Sequence, residues 1–409
     1  MSVAWRDRIA GLVERGRVRL VELAHRRAAL FVAAALLVWA IAFAGTMHRV
    51  FWGHSVTTPY RTYLSAARHF LAHRPLYQMR DIDGFQYPPQ AAIAFVPIAR
   101  LGSPYGEIAW RTLGWAVLAF GVWRACRTLA PGDRHACFLI ASALAVGTST
   151  SSLGNGQYNL WIAALVLHAV ADLSARRWAV ASAWLAVGLG LKQLMLVPAA
   201  LVCALYRPMR WRMAIALLAV LLLPLLVVDH RYLMAQYEAC WAKTVISGRP
   251  ARMFDDVRGL LAPLWIMPHA VYGVVRLIMG ALALAICALA RRRIREPLAI
   301  ALIAALAATY LMLFNPRTQP NSYVLVASLA GPLAAAWFIQ GRVRLALAVA
   351  LICGAWSIDV HIFGDVLEHW WRPLWAVAFG AVVVREAIGP RRAADARVRT
   401  EGRMRARPG

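Results

Sequence analysis

Apolar runs long enough to cross the roughly 30 Å of hydrocarbon in a bilayer recur from Ala28 to Val384. Nothing else in the sequence limits the fold so strongly. Length alone would suggest two or three soluble domains. But 61% of the residues are hydrophobic and only 16% are charged, too few to give a soluble core of this size its polar shell. The expected fold class is therefore an all-α polytopic membrane protein with about twelve transmembrane helices. The spans are placed at 28–46, 106–123, 136–148, 160–173, 178–190, 194–206, 213–228, 270–289, 298–314, 324–339, 345–358 and 374–384. An amphipathic, Arg-rich segment (1–27) precedes them. The membrane domain covers 28–388, and a basic tail at 389–409 is expected to be disordered and cytoplasmic.

The net charge of +26 first suggests a nucleic-acid partner. Its distribution argues against one. The basic residues fall in short clusters between apolar runs, as the excess of Lys and Arg in cytoplasmic loops predicts. Loops carrying Arg124, Arg127 and Arg134, Arg176 and Arg177, Arg207, Arg210 and Arg212, Arg291 to Arg295, and Arg342 and Arg344 are assigned inside. An even number of spans then leaves both termini cytoplasmic. The alternation closes only if the short apolar stretch 90–100 does not cross, so it is read as an interfacial helix. A long first external loop, 48–104, holds it together with an amphipathic helix at 60–72. The six cysteines show neither a disulfide framework nor a zinc pattern. No cofactor is called for, and no metal.

Most of the unusual polar residues fall on the external side, where such clusters line cavities. Asn155, Gln157 and Asn159 open a span with amides that suit sugar hydroxyls or phosphate oxygens; the same Gly-Asn-rich stretch also suits a turn and a helix cap. Lys192 lies inside an apolar hairpin, where a cation costs roughly 2.5–3.5 kcal/mol on insertion scales. It either meets an anion or snorkels to the interface. Arg317, within the run Asn315 to Tyr323 that includes Asn321, offers a planar fork for phosphate, or is a solvated Arg in a Pro-rich turn. Tyr87, Pro88, Pro89 and Gln90 fix the backbone ahead of the interfacial helix. Glu107 and Arg111 stand one helical turn apart and are expected to pair. The candidate general bases are the external acids Asp81, Asp83, Glu107, Asp229, Glu238, Asp255, Asp256, Asp359, Asp365 and Glu368. His361 and His369 are too loosely spaced for a metal.

Several motifs in order carry a resemblance: Tyr63, Ala66, Ala67, Pro75, Leu76 and Tyr77; then Phe85, Tyr87, Pro88 and Pro89; then Gly156, Gln157 and Asn159; then Leu191 and Lys192. Together they resemble glycosyltransferase family 87, well over 60–206 and moderately over 315–323. The resemblance implies a GT-C-like fold in the bacterial inner membrane, with a periplasmic site. It implies an inverting transfer of a mannose-like hexose from a polyprenyl-phosphate sugar donor to a lipid or glycan acceptor. It also implies a catalytic acid in the first loop. Donor-phosphate binding falls to Lys192, Arg317, Gln157, Asn159 and Asn155. Tyr63, Tyr87, Gln90, Asn315, Asn321 and Tyr323 are expected to line the pocket. The chain departs from the family at Pro59, where an Asp is usual; Asp83, then Asp81, then Glu107 is expected to take its place. Two rival readings remain: a flippase or transporter of lipid-linked sugars, and an inactive relative that binds a polyprenyl lipid.

Overall fold

Apolar patterning becomes helix almost everywhere, because a buried backbone must satisfy its own hydrogen bonds. The computed structural model describes residues 3–52, 58–80, 83–248, 253–358 and 365–389. Asp81, Asp359, His361 and the tail beyond Gly389 lie outside the described residues, as do the side chains of Asp365 and Glu368. No strand occurs among the described residues.

The Arg-rich N-terminal segment is one helix, α1 (Val3–Arg26), followed by α2 (Ala28–Trp52). At the far end of α2 come two helices of the first loop, α3 (Thr58–Leu71) and α4 (Pro89–Arg100), which pack on each other. The remaining bundle consists of α5 (Tyr105–Leu129), α6 (Arg134–Asn155), α7 (Tyr158–Ser174), α8 (Trp178–Leu191), α9 (Leu196–Leu205) and α10 (Met209–Leu222). After an excursion it resumes with α13 (His269–Arg293), α14 (Glu296–Phe314), α15 (Val324–Ile339), α16 (Val343–Ser357) and α17 (Asp365–Ile388). The excursion contains α11 (His230–Ser247) and the single turn α12 (Val257–Leu261). Among the described residues, six helical stretches are long and apolar enough to cross a membrane, α2, α6, α13 and α14 among them, and there are four shorter apolar helices. The chain is a polytopic all-helical membrane protein.

Hydrogen bonds tie the ends of these helices into two faces. On the arginine-rich face, Arg17 donates to the Ile339 carbonyl at 2.6 Å, and His25 lies 3.2 Å from that of Gly132. There Arg176 pairs with Glu296 at 3.0 Å, Arg342 pairs with Glu386, and Arg293 donates to the Ile388 carbonyl at 3.1 Å. Just inside this face a buried carboxylate joins three helices. Asp172 of α7 accepts from Arg124 of α5 at 2.6 Å and from Trp184 of α8 at 2.8 Å. Removing one partner of such a buried pair leaves an uncompensated charge, at a cost of about 3–5 kcal/mol. The connections after α6, α8 and α14 gather at the opposite face.

Several helices run past the segments that hydropathy marks. The predicted span 106–123 lies in a helix that continues to Leu129, and 374–384 in one that begins at Asp365. Apolarity reports only the part in hydrocarbon, whereas backbone hydrogen bonding carries the helix on into polar sequence. Within 229–268, α11 forms a wall of the site face. Asp229 starts that helix by accepting from the amides of Arg231 and Tyr232 at 2.9 and 3.0 Å.

Candidate functional site

Three chain breaks create the site. At the first, α6 ends on Gly156, whose φ of 62° is left-handed and suits glycine. The chain re-enters the membrane at Tyr158, so Gln157 and Asn159 stand at the mouth of α7. At the second, α8 stops at Leu191 and Lys192 turns extended before the short 3-10 turn Gln193–Met195. Gly190 permits the close approach of α8 to α10 and α4, because a Cβ there would stand 2.6 Å from Val220 Cγ1 and 3.4 Å from Gln90 Cβ. At the third, α14 ends at Phe314 and the chain crosses the face through Arg317 before the 3-10 turn Pro320–Tyr323.

The breaks meet. Lys192 Nζ donates to Asn159 Oδ1 at 2.5 Å. Asn159 Nδ2 in turn faces Gln157 Oε1 at 2.7 Å, Asn321 Oδ1 at 3.1 Å and Ser322 Oγ at 3.3 Å. Gln157 Nε2 donates to Gln319 Oε1 at 3.3 Å. One buried amide thus aims the ammonium, and its neighbours hold that amide. Lys192 also lies 6.0 Å from the centroid of the Tyr87 ring. Burial, then the nearby charge of Arg317, lowers its pKa to about 8. A cation held this way gains most from an anion.

Arg317 comes in from the other side. It donates to Gln86 Oε1 at 2.6 Å, stands 5.7 Å over the Phe254 ring and lies 3.6 Å from Asp83 Oδ1. Gln193 donates to the Gln86 carbonyl at 2.8 Å, joining the lysine turn to the first loop. That loop is fastened to α11: Lys243 donates to the Gln78 carbonyl at 2.6 Å, Gln236 accepts from the Leu76 amide at 3.0 Å, and Tyr232 donates to the Arg74 carbonyl at 2.8 Å.

Behind the amides lies an aromatic block. Tyr63 is fully buried, donates to the Tyr87 hydroxyl at 3.1 Å and packs 4.3 Å from the Tyr158 ring centroid, with Phe95 and Trp110 around it. Such pairs contribute about 0.5–1.5 kcal/mol each beyond area burial, which makes the floor rigid.

The surrounding acids sort by what they touch. Glu107 pairs with Arg111 at 2.7 Å, and Arg111 donates to the carbonyls of Leu153 and Gly154, both at 3.0 Å. This pair closes the last turn of α6. Arg111→Ala is therefore expected to destabilise the protein by about 3–5 kcal/mol, measurable as lost accumulation and a lower melting temperature in detergent. Asp256 caps α12 through the amides of Arg258 and Gly259 and accepts from Tyr272 at 3.3 Å. Burial pushes its pKa up to about 6. Asp255 is buried between His369 at 3.0 Å and Arg372 at 3.7 Å. The side chain of Asp83, 64% exposed, is the described carboxylate that stands beside a site cation at the mouth.

The structure thus brings together Lys192, Asn159, Gln157, Asn321, Tyr87, Tyr63, Arg317 and Asp83. Gln90 backs the site and donates to the Tyr237 hydroxyl. Tyr323 points away, to the Asp255 carbonyl at 3.0 Å. Asn315 spans its own turn to Thr318 at 3.4 Å. Asn155, half-buried at the end of α6, takes no part in the amide chain. Sequence reasoning singled out the run that holds Gln319 and Ser322 without giving these two a role, and it missed Gln86, Gln193 and the role of Lys243. The one visible signal was Lys243 itself, a second lysine in a chain whose other basic residues are arginine.

A helical bundle with a doubly cationic, amide-lined site at the ends of its spans is a polytopic membrane protein with a candidate anion site. A family model described as glycosyltransferase family 87 matches residues 85–316, more than half of the chain, and the protein belongs to that family. The match includes Gln157, Asn159 and Lys192; it does not extend to Pro59, Tyr63 or Asp83. No curated protein matches the chain.

Proposed function

We propose that the protein transfers a sugar, a mannose-like hexose, from a polyprenyl-phosphate donor to a lipid or glycan acceptor, on the face opposite the arginine-rich one. The observation that carries this reading is the convergence of Lys192 and Arg317 on one amide-lined site with Asp83 at its edge. The donor is a phosphodiester with one negative charge. As the anomeric C–O bond breaks, its electron pair stays on the phosphate, which leaves as a monoester with a second charge. Lys192 and Arg317 are positioned to hold that growing charge. Asp83 takes the proton from the acceptor hydroxyl as its oxygen attacks the anomeric carbon. Attack opposite the leaving phosphate inverts the centre. The site faces the periplasm if the arginine-rich loops are cytoplasmic.

The test uses purified protein in lipid nanodiscs with radiolabelled polyprenyl-phosphate sugars and candidate lipid acceptors. Label is expected to move to a lipid or glycan product and free polyprenyl phosphate to accumulate. Retained binding of polyprenyl phosphate with no transfer from any donor would refute the transferase reading and favour an inactive lipid-binding relative.

A further inference from the structure

The back of α3 carries a feature that the sugar-transfer site does not use. Tyr60, Tyr63, Ala66, Ala67 and Phe70 bury one face of this helix. The opposite face presents Arg61, Ser65 and Arg68, and with Arg74 and His69 they line a cleft of about 660 Å³. Spacings of three and four residues put Arg61, Ser65 and Arg68 on one stripe.

Two observations make this more than a solvated polar face. First, no carboxylate pairs with Arg61, Arg68 or Arg74 among the described residues; the nearby Asp229 is engaged with His73 at 3.5 Å and with the start of α11. Three guanidinium groups therefore share one cleft with no paired carboxylate among the described residues. Second, the cleft sits at an apolar boundary. Leu64 and Ala72 line it, Leu71 is 41% exposed beside it, and Trp52 at the end of α2 is 71% exposed. Arginines above exposed leucines at the end of a span are the pattern of a helix lying in the headgroup layer. This cluster also follows the end of α2 away from α1, whereas Arg17 of α1 reaches the Ile339 carbonyl on the arginine-rich face.

We propose that the α3 cleft binds the phosphate headgroup of a lipid with net negative charge in the leaflet on the side where the amide-lined site opens. Arg61, Arg68 and Arg74 hold the phosphate oxygens by forked, charge-assisted hydrogen bonds. Ser65 offers a hydroxyl, and Leu64 and Leu71 meet the first carbons of the acyl chains. The lipid tethers α3, whose inner face carries Tyr63. The proposal is independent of the sugar-transfer reading.

The test is native mass spectrometry of the full chain with added phosphatidylglycerol, phosphatidylcholine or inorganic phosphate. Wild type is expected to retain an additional phosphatidylglycerol. The triple variant Arg61→Gln, Arg68→Gln, Arg74→Gln should bind that lipid about a hundredfold more weakly, at about fivefold per arginine. The triple Lys variant should recover most of the loss. An unchanged melting temperature in the Gln variant would separate lost binding from misfolding. Equal phosphatidylglycerol retention by wild type and the Gln variant would overturn the proposal. So would retention of phosphatidylcholine as strong as that of phosphatidylglycerol. Displacement of the lipid by inorganic phosphate at equal concentration would also overturn it, by making the site one for a free anion.

Discussion

Lys192→Ala is expected to lower kcat/KM for sugar transfer by about 10²–10³-fold, the usual loss when one preorganised group facing a developing charge is removed. The protein should still accumulate, because Lys192 lies in the break between α8 and the following 3-10 turn rather than within either. Its Nζ is oriented by Asn159, which three further polar partners hold in place. The pH dependence follows from the same geometry. Burial and Arg317 lower the Lys192 pKa to about 8. The ammonium is therefore intact below about pH 8 and lost above it, so kcat/KM should fall as pH rises through that value. A bound phosphate favours the charged form, so the corresponding limb of kcat should lie at higher pH. Lys192→Ala should abolish the alkaline limb of kcat/KM. Failure of this variant to accumulate would mean that the lysine serves the fold by snorkelling.

Asp83→Asn should cost about 10²–10⁴-fold in kcat, the range for loss of a positioned base, while donor binding changes little. The side chain keeps its volume, and Arg317 stays bonded to Gln86 at 2.6 Å. A fall in donor affinity matching the fall in kcat would instead mark Asp83 as a positioning residue for Arg317, 3.6 Å away. Full transfer by both Asp83→Asn and Asp81→Asn would remove the first loop from the proton-transfer step.

Much of this architecture was legible in the sequence because hydrocarbon imposes one rule on every span. The short apolar stretch 90–100 is a helix, α4, as its pattern indicated, and it packs on α3. The Glu107–Arg111 pair was legible from its four-residue spacing. The amide partners of Lys192 were not. Asn159 and Lys192 are 33 residues apart, and Asn159 and Asn321 are separated by 162. Which helix mouths meet depends on bundle packing, which no local pattern encodes. Gln86 and Gln193 were missed for the same reason: each looks like an ordinary loop amide until the two breaks are brought together. Helix α11 was missed because it turns Gln236 and Lys243 inward against the first loop and leaves Met234, Trp241 and Val245 exposed, so its pattern matches neither template.

A cryo-electron microscopy map of the protein in nanodiscs with bound polyprenyl phosphate bears on all of this at once. The account predicts density for the phosphate between Lys192 Nζ and the Arg317 guanidinium, within about 3 Å of each, with Asp83 at the open edge. Phosphate density elsewhere, with Lys192 still closed on Asn159 and no anion between the two cations, would contradict it.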